Sequence, residues 1–181
     1  MKTLLTTLLL LDSIFSFTQI PKIEKTIYGM YGNCTENENA KYRLVINTPE
    51  NTFFLSRYDE KSFSQAKDED SEDYEYKWYI QLFGKLEVNN GEFYLVNTVH
   101  NIKIEIRQLD DYHIQLISKE YLIGNDIFSC SINYYSNGIT QYSGGWLNCK
   151  KFGNWHYKDK TGKKTMMILY ENDSIKYFEK Y

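Results

Sequence analysis

The run Ile102-Lys103-Ile104-Glu105-Ile106-Arg107 sets three isoleucines against three charged side chains at period two. Successive side chains of an extended strand point to opposite faces, so this run predicts a strand with one buried and one wet face. Tyr112-His113-Ile114-Gln115-Leu116 alternates in the same way after an Asp110-Asp111 turn. Shorter apolar runs stand at 42–46, 53–58, 76–80, 86–88, 93–96, 127–135, 139–146, 155–157, 166–170 and 175–178. Turn signals separate them: Thr48-Pro49-Glu50-Asn51 with Pro at its second position, Asn89-Asn90-Gly91, and Asn137-Gly138 as a two-residue hairpin turn. No window keeps an apolar period of 3.6, so no long helix is expected past the N-terminal segment. The pattern predicts an all-β chain: an antiparallel sheet or partly closed barrel, followed by a stack of hairpins.

The first residues read differently. Met1-Lys2 is a short basic start, and Leu4-Leu5, Leu8 to Leu11, Ile14, Phe15 and Phe17 form an apolar core interrupted by Thr6, Thr7, Asp12 and Ser13. This is the layout of a secretory signal over 1–19, too short for a comfortable membrane span, with cleavage expected near Ser16 to Gln19. Left uncleaved, it would act as a weak anchor. No Cys lies in or just after the apolar core to carry a lipid. The expected location is secreted or periplasmic, with a β domain over 20–130 and a hairpin segment over 131–181.

Composition sharpens this. Aromatic residues make up 17% of the chain, 17 of them Tyr, which favours half-buried strand surfaces. Net charge is −3, against a protein that binds nucleic acid by neutralising phosphates. The charge is uneven: 145–181 carries eight lysines and four acids, hence +4, and the rest is −7. Much of that negative charge sits at 67–75, read as a solvated acidic loop.

Export permits disulfides among Cys34, Cys130 and Cys149. An Asn137-Gly138 hairpin would set Cys130 opposite Gly145, leaving Cys149 about 13 Å along at strand rise. A bridge needs Cα atoms within about 7 Å, so that pair is disfavoured, and the remaining pairings, or three free thiols, stay open.

The segment from Tyr142 to Lys163 resembles a MORN-type repeat. Gly144-Gly145-Trp146, Lys151-Phe152-Gly153, Trp155-His156-Tyr157 and Gly162-Lys163 fill that family's places, and 169–175 is similar to the start of a second copy. Asn148-Cys149 and Asn172-Asp173 replace the family's Asn-Gly turns, and Cys tolerates positive φ poorly. The resemblance implies stacked hairpins that serve as scaffolds for protein or membrane contact. The preceding region is similar to bacterial lipocalin-like domains in its order of a Gly-containing opening strand (28–32), a hairpin (42–55), and a Gly-led strand with its partner (84–95).

Chemical signatures are sparse. His100, His113 and His156 are scattered without metal-ligand spacing, and His113 and His156 read as solvent-facing. Asp68, Asp70 and Glu72 start like a calcium loop but lack its Gly and distal Glu. Asp110-Asp111 reads as a turn pair facing water. Cys149 beside Lys150-Lys151 has no identifiable base. The expectation is therefore no catalytic residue, no metal and no cofactor. Candidate binding residues are the aromatics Trp146, Trp155 and Tyr157 with Lys150 and Lys151, unless the aromatics pack between hairpins. The leading function is a non-enzymatic module contacting another envelope or secreted protein, or more weakly a membrane surface. A carrier of a small apolar ligand and a hydrolase with an unrecognised site are the alternatives.

Overall fold

The computed structural model describes residues 22–33, 42–58, 78–118 and 126–181. The expected export signal, Cys34, and the acidic loop with Asp68, Asp70 and Glu72 lie outside the described residues. Among the described residues there is no helix, and twelve strands form one antiparallel sheet: β1 (Gly29–Asn33), β2 (Tyr42–Asn47), β3 (Thr52–Tyr58), β4 (Trp78–Asn89), β5 (Glu92–Asn97), β6 (Ile102–Gln108), β7 (His113–Ile117), β8 (Ile127–Tyr134), β9 (Thr140–Leu147), β10 (Lys150–Lys158), β11 (Lys164–Glu171) and β12 (Ser174–Lys180). Each strand pairs with the next in sequence, and β1 also pairs with β8. The first eight strands thus close an antiparallel barrel, and β9 to β12 extend from it.

The period-two pattern builds the barrel interior. Tyr31 stands opposite Leu44, Leu44 opposite Leu55, and Leu55 opposite Leu82. Cys130 completes this row across from Tyr31. Leu86, Leu95 and Ile104 form a second row, and Phe93, Ile106 and Leu116 a third. Ile104 and Ile106 are buried as the alternation of β6 predicts, while Ile102 is half-buried at the strand start.

Two expected strands at 76–80 and 86–88 are one, β4, which runs unbroken through Gly84. A Cβ there would lie 2.0 Å from the Val96 carbonyl oxygen and 2.9 Å from the Phe53 ring. Glycine lets β4 touch its neighbour's backbone while Phe53, directly opposite, fills the barrel.

Turn chemistry holds with two adjustments. Asn90-Gly91 forms a two-residue turn with φ of 54° and 84°. Asn148-Cys149 (49° and 63°) and Asn172-Asp173 (51° and 66°) adopt the same double-positive conformation despite lacking glycine. The Asn137-Gly138 turn is instead a three-residue loop: Tyr135 N–H donates to Ile139 O, Gly138 N–H donates to Tyr135 O, and Gly138 has φ 83°. A bulge between Asn133 and Tyr134 absorbs the extra residue, so Ile132 and Ser143 still pair in the register that a two-residue turn implies. The loop at Asp159 to Lys163 repeats this geometry, with Gly162 at 87°. Gly138 and Gly162, and likewise Asn148 and Asn172, stand 24 positions apart, so β9–β10 and β11–β12 are two copies of one structural unit.

Residues 22–28 strap the extension to the barrel. Asn133, 2% exposed, donates from Nδ2 to the carbonyls of Thr26 and Tyr28, and Thr26 Oγ1 donates to Tyr134 O. Lys160 pairs with Glu24 at 2.6 Å.

Candidate functional site

The chemistry converges where the sheet forks. β1 covers one edge of β8 along its length, and the other edge is divided. β7 pairs with Ile127 to Ser129, and β9 with Ile132 to Tyr134. Between them Cys130 N–H donates to Tyr112 O at 2.7 Å, and the Trp146 indole Nε1–H donates to Cys130 O at 2.9 Å. A side chain thus satisfies a backbone acceptor that neither strand reaches.

Aromatic rings fill the fork. Trp155 stacks on Tyr142 at 5.7 Å between centroids, and meets Trp146 (5.2 Å), Tyr112 (5.6 Å) and Tyr170 (5.9 Å) edge-on. Its other neighbour is the bare Cα of Gly144, where a Cβ would fall 2.1 Å from the indole. Trp155 is 0% and Tyr157 1% exposed, so these two candidate binding residues are packed into the core and offer no platform to solvent. Trp146 is half-buried, and Lys150 is exposed.

Lys151 sits over this cluster. Its Nζ lies 3.2 Å from the centroid of Tyr112, 5.0 Å from Trp155 and 5.1 Å from Tyr170. Its backbone N–H donates to Asp173 Oδ1, and Asp173 N–H donates back to Lys151 O. Burial pulls the ammonium pKa down to about 8, against the opposing pull of Asp173, Asp110 and Asp111. An unfolded lysine titrates near 10.4. Between about pH 8 and roughly 10.4 the unfolded chain therefore holds more of this proton, and the contribution of Lys151 to stability rises with pH. Urea unfolding across that window should show the rise in the wild-type chain relative to Lys151→Met; a pH-independent difference between them would contradict it.

Asp110 ends the β6–β7 turn as a receptor for three donors. It accepts the N–H groups of Tyr112 and His113 and the His113 Nδ1 at 2.8–2.9 Å. Desolvation alone would raise its pKa; these hydrogen bonds and the His113 charge outweigh it and hold the carboxyl below its usual value. The His113 ring lies 4.9 Å from Trp146, and its side chain is 24% exposed, more covered than a solvent-facing strand histidine. Ser129, across the ladder from His113, is buried, and its Oγ makes no hydrogen bond to the pair. His156 is half-buried, with its Nδ1 covered.

The cysteines resolve in part. Cys149 is disulfide-bonded, while Cys130 is a free thiol, 1% exposed, with its pKa pushed up by burial to about 12. A bridge between those two is thus absent, as the strand distance implied. Cys130 donates to Ile132 O and behaves as core. No cluster that could hold a metal occurs among the described residues.

Sequence reading finds the extension's share of the site, Trp146, Trp155, Tyr157 and Lys151. It misses Tyr112 and the Asp110–His113 pair, which the barrel supplies. The alternation 112–116 marks Tyr112 only as a strand residue; nothing local signals that a lysine 39 positions later lies on its ring.

Comparison with family models finds no match, and neither the curated proteins nor the solved structures give a significant one.

Proposed function

We propose that this is an exported, non-enzymatic interaction module that docks a partner protein through the outer surface of its four-stranded extension. The observation that carries this reading is a group of large apolar side chains left in water there. The register sets Leu147, Phe152 and Tyr177, each 45–52% exposed, on the face away from Trp155 and Tyr170, along strands that also carry exposed Lys150, Lys176 and Lys180. Apolar groups concentrated on one element and edged by charge mark contact surfaces more often than scattered ones do. The resemblance to MORN-type scaffolds points the same way, as does the 24-residue structural repeat. The buried Trp155 and Tyr157 then serve as the foundation of the docking face, and Lys150 as part of its rim.

The test uses the full processed chain immobilised against secreted and envelope fractions of its own source. Phe152→Glu combined with Tyr177→Glu should weaken partner retention by roughly tenfold or more, as expected for two aromatic contact residues. Both side chains are exposed, so the thermal midpoint should stay unchanged. Full retention by the folded double variant would refute the reading.

The closed barrel favours a second reading, a carrier of a small apolar ligand, since eight strands enclose either packed side chains or one such molecule. Leu44, Ile46, Phe53, Leu55, Leu95, Ile104, Leu116 and Phe128 are all 0% exposed, leaving no water-sized gap beside them, which ranks it second. Native mass spectrometry of protein from its own source separates the two: a stoichiometric apolar adduct would favour the carrier.

A further inference from the structure

The fork contains a ready-made receptor for a cation, and its present occupant belongs to the chain. Tyr112 comes from the β6–β7 turn, Trp155 from β10 and Tyr170 from β11, and their rings surround one ammonium at 3.2, 5.0 and 5.1 Å. Aromatic faces attract cations through their quadrupoles, most strongly where water is excluded. Trp155 and Tyr170 are 0% and 3% exposed, so the walls are dry. Asp110, Asp111 and Asp173 place negative charge around the same ammonium.

We propose that the cage of Tyr112, Trp155 and Tyr170 is a recognition site for a quaternary ammonium head group, held closed by the Lys151 side chain.

Two features support an external guest. First, Lys151 is tied to its strand through the backbone, by its N–H to Asp173 Oδ1 and its carbonyl from Asp173 N–H. Lys151 is itself half-buried, so its side chain can swing toward solvent while β10 stays in place. Second, a primary ammonium suits the cage poorly. It has three N–H donors to desolvate, the rings accept none of them as water does, and burial lowers the pKa of the group. A quaternary head has no N–H to strip of water and keeps its charge at every pH, so it gains the ring attraction without that cost.

The experiment uses the full chain as wild type and as Lys151→Ala, with choline as the probe and dimethylbutanol, its uncharged carbon isostere, as the control. Choline should bind Lys151→Ala saturably, read by tryptophan fluorescence and a raised thermal midpoint, at least roughly tenfold tighter than wild type, the scale of one desolvated cation–π contact. Dimethylbutanol should leave both signals unmoved, and adding Tyr112→Ala should abolish binding. A folded Lys151→Ala chain that ignores choline, or treats choline and dimethylbutanol alike, overturns the proposal. Should Lys151→Ala not fold, the wild-type chain decides. Choline should then speed acetic anhydride labelling of Lys151, followed by peptide mass spectrometry, while dimethylbutanol does not. Equal labelling with both probes overturns it.

Discussion

Gly84→Ala is expected to destabilise the chain by roughly 3 kcal/mol or more, at or beyond the upper end for overpacked cores. The added carbon would stand 2.0 Å from the Val96 carbonyl oxygen and 2.9 Å from that carbonyl's carbon. These are backbone atoms, so no rotamer change relieves the clash. β4 and β5 would have to separate, and both help close the barrel. Asn97 would feel it directly, since its Nδ2 donates to Phe83 O at 2.7 Å and its Oδ1 accepts from His100 N–H. Gly91→Ala is the control: its φ is +84° with open space around it, so it should lose only about 1 kcal/mol from backbone strain. Urea unfolding of both variants makes the comparison. Similar small losses at the two positions would show that β4 does not need its glycine for close approach.

Trp155→Ala should cost about 3–5 kcal/mol, the range for removing a fully buried large aromatic. The indole is 0% exposed, stacks on Tyr142, meets three further rings edge-on and donates to Gly145 O at 3.2 Å. Its neighbours cannot all collapse inward, because Tyr142 OH is held by Asp111 O and Trp146 by Cys130 O. The barrel and extension share one core cluster, so the loss should appear as a single unfolding transition at lower denaturant. Two separated transitions in the wild-type chain would contradict that shared core. Gly144 supplies an internal check. Gly144→Ala should be severe in the wild-type chain and mild once Trp155 is truncated, because the indole is the group its Cβ would strike.

Strand content was legible because one wall of each strand faces the core. The isoleucines of β6, the pair Leu44 and Ile46, and Ile114 and Leu116 of β7 carry their burial in their spacing. The two-residue turn at Asn90-Gly91 was legible from its residues, whereas Asn137-Gly138 marked a turn but not that Ser136 joins it in a three-residue loop. The Cys149 turn was harder to read, because the expectation that Cys resists positive φ concerns the isolated residue, whereas here Leu147 and Lys150 pair on either side and close the turn. Gly84 read as the opening of a strand because local sequence shows its flexibility but not the Val96 carbonyl beside it. The β1–β8 closure was not legible at all. Nothing in 29–33 distinguishes an edge that will meet 128–133 from one left in water. The candidate site was half legible for the same reason: Trp146, Lys151 and Trp155 lie within ten positions of one another, while Tyr112 and Asp110 arrive through the fold.

The disulfide at Cys149 has a mechanical consequence. Within the sheet, each strand of the extension pairs only with its immediate predecessor and successor, with β12 outermost. Tension applied at Tyr181 would therefore peel β12, β11 and β10 in turn, each rupture loading a single ladder, until the force reaches Cys149, whose disulfide stops the unzipping. β8, gripped by β1 on one side and β7 on the other, would stay behind that cross-link and carry no peeling load.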